Sequence, residues 1–96
     1  MQCLIQSTEV SSAHLCLKFE GEMSIYYAQQ IKEALLEAMA QPYATLELDL
    51  SDVTELDTAG VQLLLLAQRE MNAAGRQLRM SQQSPAVAAV LGLLRL

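Results

Sequence analysis

Apolar and polar residues alternate most strictly along Thr45-Leu-Glu-Leu-Asp-Leu50, which sets Leu46, Leu48 and Leu50 on one face and Glu47 and Asp49 on the other. That is the period of a strand with one buried side. The same period runs through residues 14–20, where Leu15, Leu17 and Phe19 alternate with His14, Cys16 and Lys18. A further strand is expected over residues 2–6, and the polar stretch from Ser7 to Ser12 predicts a turn or short loop that makes the two a hairpin. Glu20-Gly21-Glu22 closes the second strand. The period then changes to that of a helix from about Ile25 to Ala40, with Tyr27, Ile31, Ala34, Leu35, Ala38 and Met39 on one stripe, Ser24 as its cap and Pro42 as its stop. After the strand over residues 45–50, a second helix follows Asp57-Thr58-Ala59-Gly60, runs from Val61 to about Ala74 and closes at Gly75. A short strand is expected over residues 77–81. Ser84-Pro85 opens a last helix, with a polar cap and proline at its first position, whose stripe is Ala86, Val87, Val90, Leu91 and Leu94.

The resulting order is β-β-α-β-α-β-α. Strands separated by helices imply parallel pairs, so an α/β fold is expected, a mixed sheet with helices packed on it. With 96 residues the chain forms one domain, taken as residues 1–96. The helix after Gly60 is apolar on more than one face, because Leu63, Leu64, Leu65 and Leu66 together cover most of its circumference. Either a neighbouring element or a partner protein must cover the remainder, and Leu63 or Leu66 left exposed near Thr58 would form a docking patch.

Charge and composition narrow the function. A net charge of −5 with only six scattered basic residues, and no Trp, argues against nucleic acid as the partner. No apolar run is long enough for direct insertion in a membrane and no leader pattern stands at the N-terminus, so a cytoplasmic protein is expected. Cys3 and Cys16 are then reduced thiols, and His14, the one histidine, lacks the companions of a metal site. Glu47, Asp49, Asp52, Glu55 and Asp57 place five carboxylates within eleven residues with no Lys or Arg between them. Their spacing lacks the glycine of a calcium loop, so no metal is assigned, and solvated acids around a binding loop explain the run.

The candidate site is Asp57-Thr58-Ala59-Gly60. An Asp or Thr before an apolar helical run is a capping signal, and capping by itself accounts for many such sequences. Gly60 costs about 1 kcal/mol against a helix former in the first turn, which suggests a close approach to its backbone. Thr58 would present a hydroxyl beyond the carboxyl end of a strand, the edge at which open α/β sheets bind ligands and partners. The positive end of the helix favours a phosphate there. Nothing in the chain combines a nucleophile with a base, and no phosphate-cradling GxxxxGK[ST] loop occurs, so catalysis is not expected and no cofactor is assigned.

The segment from Leu46 to Gly60, the leucine-rich helix after it, the Gly75 stop and the short strand together resemble the STAS domain, the fold of bacterial anti-sigma factor antagonists. Ser84-Pro85-Ala86-Val87 before a final helix also resembles that family, particularly its stand-alone members associated with chemotaxis-type signalling. The likeness spans about Leu15 to Leu94. It implies a non-catalytic protein-interaction switch in which Thr58, at the family's phosphorylated hydroxyl position, is modified reversibly by a partner kinase that is also an anti-sigma factor. Asp57 and Gly60 match the acid and the glycine of that pattern, and threonine stands where serine is commoner. The partner-binding residues expected are Asp52, Glu55, Asp57, Thr58, Ala59, Gly60 and Leu63. The partner implied is an anti-sigma factor or serine kinase, or a signalling histidine kinase. The alternative is a small STAS subunit that binds the ATPase of a phospholipid-transporting ABC complex. Oligomeric state is left open.

Overall fold

The computed structural model describes residues 2–94; Met1, Arg95 and Leu96, the ends of the domain expected over 1–96, lie outside the described residues. Four strands form one sheet in the order β1 (Cys3–Ser11), β2 (His14–Met23), β3 (Thr45–Leu56) and β4 (Gln77–Gln83). β1 pairs antiparallel with β2, whereas β2 with β3 and β3 with β4 are parallel. The two parallel steps are spanned by α1 (Ala28–Met39) and α2 (Thr58–Ala73), and α3 (Pro85–Leu93) closes the chain. The expected mixed sheet, hairpin and element order are therefore observed.

Alternation decides the faces. Leu15, Leu17 and Phe19 of β2 and Leu46, Leu48 and Leu50 of β3 are buried together with Ile31 and Leu35 of α1, Leu64 and Met71 of α2, and Val87 and Leu91 of α3 in one aliphatic core. The intervening His14, Cys16, Lys18, Glu47 and Asp49 stay partly exposed on the other face. There Glu47 meets His14 at 2.9 Å and Asp52 meets Lys18 at 2.9 Å. Two of the five acids, Glu47 and Asp52, thus find partners on the neighbouring strand, a pairing invisible along the chain. The register sets Cys3 beside Gly21 and Cys16 beside Thr8, so the two thiols do not face each other. Burial pushes both thiols up from their ordinary range, reinforced by Glu22 at Cys3 and chiefly by Glu47 at Cys16.

Several boundaries differ from the sequence reading: β2 runs through Glu20-Gly21-Glu22 to Met23 where a close was expected, and β4 continues past residue 81 to Gln83. β1 continues through Ser7–Ser11, with only Ser12 and Ala13 as the turn, because an outer strand is wet and polar residues suit it. β3 runs beyond Leu50 to Leu56, its register slipping against β2 between Lys18 and Glu20 and again between Gly21 and Glu22. Each slip resets which side chains point inward, so Val53 is buried out of phase with Leu50 and Leu56 is buried back in phase with it. The first helix begins as a 3-10 turn, Ile25–Tyr27, and Ser24 makes no side-chain capping bond, contrary to expectation.

Two devices fix the helix ends. At Gly75, with φ +70°, the Gly75 N–H bonds to Asn72 O at 3.0 Å and the Arg76 N–H to Met71 O at 2.8 Å, the Schellman pattern of a glycine C′ residue. The Arg76 guanidinium then donates to the carbonyls of Tyr43, Met39 and Gln41 at 2.7, 2.8 and 2.6 Å. It ties the end of α1 and the loop into β3 to the start of β4. α2 packs against both α1 and β4, and Leu63 and Leu65 lie half-buried against the core. Neighbouring elements thus cover much of the leucine-rich helix.

Candidate functional site

β3 and α2 meet at Asp57, whose extended backbone makes it the N-cap. One carboxylate oxygen accepts the Gly60 N–H at 3.0 Å and the other the Ile25 N–H at 3.0 Å, while the Asp57 N–H donates to Met23 O at 3.2 Å. A single side chain therefore joins the start of α2 to the 3-10 turn after β2. Burial works against ionisation of Asp57, but the N–H groups of Gly60, Ile25 and Ala59 outweigh it and hold the carboxyl below the ordinary carboxylate range.

Gly60 is buried, and a Cβ there would lie 2.5 Å from Met23 O and 2.6 Å from Leu56 Cδ1. The close approach expected at this glycine is made by the chain itself. α2 can begin where it does only because residue 60 lets the last carbonyl of β2 come this near.

Thr58 occupies the first helical position and is exposed. It stands at the rim of a hollow of about 340 Å³ lined by Leu56, Asp57, Thr58, Val61, Val90, Leu93 and Leu94. Leu93, which lines it, is 84% exposed, and the 3-10 turn tied to Asp57 leaves Tyr26 79% and Ile25 66% exposed. A phosphate on Thr58 would sit beside an ionised Asp57 that already holds the Gly60 N–H. The donors expected to welcome such a charge are thus partly taken.

The other expected site residues fall in different places. Glu55 lines a second pocket with Asp57, next to Thr58, and Ala59 is half-buried behind it. Asp52 lines a separate pocket with Glu20, Ser84 and Pro85, and pairs with Lys18. Leu63 is five residues beyond Thr58, about 140° round the helix, and packs against the core instead of the Thr58 hollow. The periodicity of α2 could have shown this. Sequence reading missed Glu22, Ser24, Val90 and Leu93 as site residues and gave Tyr26 as core or rim rather than a binding residue; they reach the site from β2, the 3-10 turn and α3. Leu94, expected in the core stripe of the last helix, is instead 52% exposed at this hollow. The apolar Val90 and Leu93 were readable as helix residues, but their place beside Thr58 depends on how α3 docks.

The family model described as "Mlab, STAS domain" matches residues 7–96. A search of curated protein sequences found no match. Among solved structures, the unphosphorylated form of the anti-sigma factor antagonist SpoIIAA is similar, with a TM-score of 0.81 at 22% identity over 96% of this chain and 81% of that one. The phosphorylated form of SpoIIAA, a Bacillus cell fate determinant, has a TM-score of 0.77 at 22% identity, covering 95% and 83%. An anti-sigma factor antagonist from Mycobacterium paratuberculosis has a TM-score of 0.78 at 16% identity, covering 98% and 79%. At these identities the likeness is one of fold.

Proposed function

The chain belongs to the STAS domain family, and from that premise we propose that it is a non-catalytic interaction switch whose docking surface is the face around Thr58. The observation that carries this reading is the position of an exposed hydroxyl at an apolar hollow lined by open Leu93 and Leu94, with Ile25 and Tyr26 exposed on the 3-10 turn tied to Asp57. Apolar surface so concentrated is suited to a protein partner. The partner is a regulatory kinase or anti-sigma factor, or a chemotaxis-type signalling kinase, and Thr58 is the residue it phosphorylates. That SpoIIAA has been solved in phosphorylated and unphosphorylated forms is consistent with such a cycle.

The switch follows from electrostatics. Phosphorylation adds a charge of about −1.5 to −2. Here it would arise beside ionised Asp57 and at the edge of an apolar surface. Docking would then have to strip water from two adjacent anions over a hollow with few polar groups to receive them. Unmodified Thr58 permits docking, and phosphorylated Thr58 releases the partner. The fold itself survives, since the added group projects from an exposed position.

A second reading is favoured by the extent of exposed apolar surface, which suits a permanently bound subunit: the same face would hold the ATPase of a phospholipid-transporting ABC complex without a phosphate cycle. Affinity capture from native cells with wild-type, Thr58→Ala and Thr58→Glu chains separates the two. The switch predicts a kinase or anti-sigma factor bound by the first two and lost from Thr58→Glu, with phosphate mapped to Thr58 by mass spectrometry. Equal capture by all three chains would sink the switch, and a transporter ATPase as the captured protein would establish the second reading.

A further inference from the structure

Beside the Thr58 hollow, the ends of β2 and β3 and the start of α3 enclose a pocket of about 340 Å³ whose polar lining is Glu22, Ser24, Tyr26, Glu55 and Asp57. We infer that this pocket receives the guanidinium of an arginine carried by the docked partner, an inference that rests on the reading of this face as a docking surface.

Glu22 and Glu55 are direct neighbours across the parallel β2–β3 pair, and both line the pocket. Like charges set directly opposite on adjoining strands repel. Glu22 is only 7% exposed, and the basic side chains found against acids among the described residues, His14 hydrogen-bonded to Glu47 and Lys18 paired with Asp52, meet neither of these acids. Asp57 contributes charge, but its oxygens are engaged by the Ile25 and Gly60 N–H groups, so Glu22 and Glu55 are the available acceptors. An independent observation comes from Ser24. Ser24 is 5% exposed and its Oγ has no hydrogen-bond partner, while the residue lines the same pocket. Buried hydroxyls are nearly always bonded.

The shape of the acid set identifies the cation. No three His, Cys, Asp or Glu side chains among the described residues converge as ligands of a metal ion, and the pocket, at about 340 Å³, is larger than a bare ion fills. A guanidinium offers five N–H donors in a rigid planar fork, enough for two carboxylates and a hydroxyl oxygen together. Tyr26, 79% exposed at the mouth, supplies a ring face on which that plane stacks. Val90 completes an apolar wall for the aliphatic stem.

The test is an NMR titration of amide shifts in the whole chain with N-acetyl-arginine methylamide, with the norleucine analogue, CaCl₂ and MgCl₂ added separately. The arginine probe is expected to shift the amides of residues 22–26 and 54–57, with binding weakened roughly tenfold or more in Glu55→Gln and in Glu22→Gln. Glu55 is exposed, so that variant keeps the fold. Unchanged binding in both variants, equal shifts from norleucine, or stronger shifts at these amides from either metal salt would overturn the inference. Loss of the native partner from Thr58→Glu with no arginine response would also overturn it while leaving the docking reading intact. A localised arginine response in a chain whose Thr58 variants capture partners equally would uphold the pocket and remove the switch.

Discussion

Replacing Gly60 by alanine tests the geometry of the site most directly, because the helix propensity and the tertiary contact pull in opposite directions. In a solvent-facing helix the change gains about 1 kcal/mol. At Gly60 the new methyl would stand 2.5 Å from Met23 O and 2.6 Å from Leu56 Cδ1. The first contact is about 0.8 Å inside the ~3.3 Å at which a carbon and a carbonyl oxygen normally meet. Leu56 can turn its side chain, but the Met23 carbonyl is backbone at the end of β2 and accepts the Asp57 N–H. α2 must therefore move off the sheet, taking the Asp57 clasp with it. Overpacking of this kind costs about 1–3 kcal/mol beyond any gain in propensity, which in a domain of this size lowers the melting temperature by about 5–15 °C. Gly92 provides the control. A Cβ there meets nothing within 4 Å, so Gly92→Ala should stabilise by up to about 1 kcal/mol. Urea and thermal unfolding of the two variants measure both. If Gly60→Ala matched or exceeded wild type while Gly92→Ala gained as expected, the close approach of β2 to α2 would be wrong.

Asp57→Ala removes the cap and the tie to Ile25 and should cost about 1–2 kcal/mol, with Asp57→Asn intermediate, as read by urea unfolding. Because the Asp57 carboxyl is held below its unfolded value, its contribution is complete above the unfolded value near ~4 and disappears as pH falls through the lower folded value. The stability difference between wild type and Asp57→Asn should be flat from neutral pH to about pH 5 and shrink below about pH 4; a difference that grew on acidification would refute the assignment. Arg76→Ala leaves the carbonyls of Met39, Gln41 and Tyr43 without their donor and should cost about 2–3 kcal/mol, only partly recovered by lysine, which lacks the planar fork. Equal midpoints for wild type and Arg76→Ala in denaturant would show that the clamp does not hold the loop.

Much of this fold was legible in the sequence because its signals are local. Alternation along residues 14–20 and 45–50, the Ser84-Pro85 start and the Gly75 stop each act through a residue's own backbone or its near neighbours, and each is realised as expected. Asp57 as cap and Thr58 as the exposed first residue of α2 are local features too. Misreadings came where the environment reversed a local preference. Ser7–Ser11 looked like a loop, yet the free edge of a sheet tolerates polar residues on both faces. The acids after Leu50 looked like an unpaired run, yet β3 continues and the Lys18 side chain reaches Asp52.

The sequence by itself determined the order of the elements, the faces of the central strands and the hydroxyl at the head of α2. Only the tertiary structure decided what lies about that hydroxyl: the Met23 carbonyl that requires Gly60, the Glu22 and Glu55 pair, and the apolar hollow with Val90, Leu93 and Leu94. The physical reason is range. Hydrogen bonds of caps and periodic burial are set within one or two turns of chain, whereas the neighbours of Thr58 come from segments more than 30 residues away on either side, joined through strand register and the docking of α3, which no local pattern encodes.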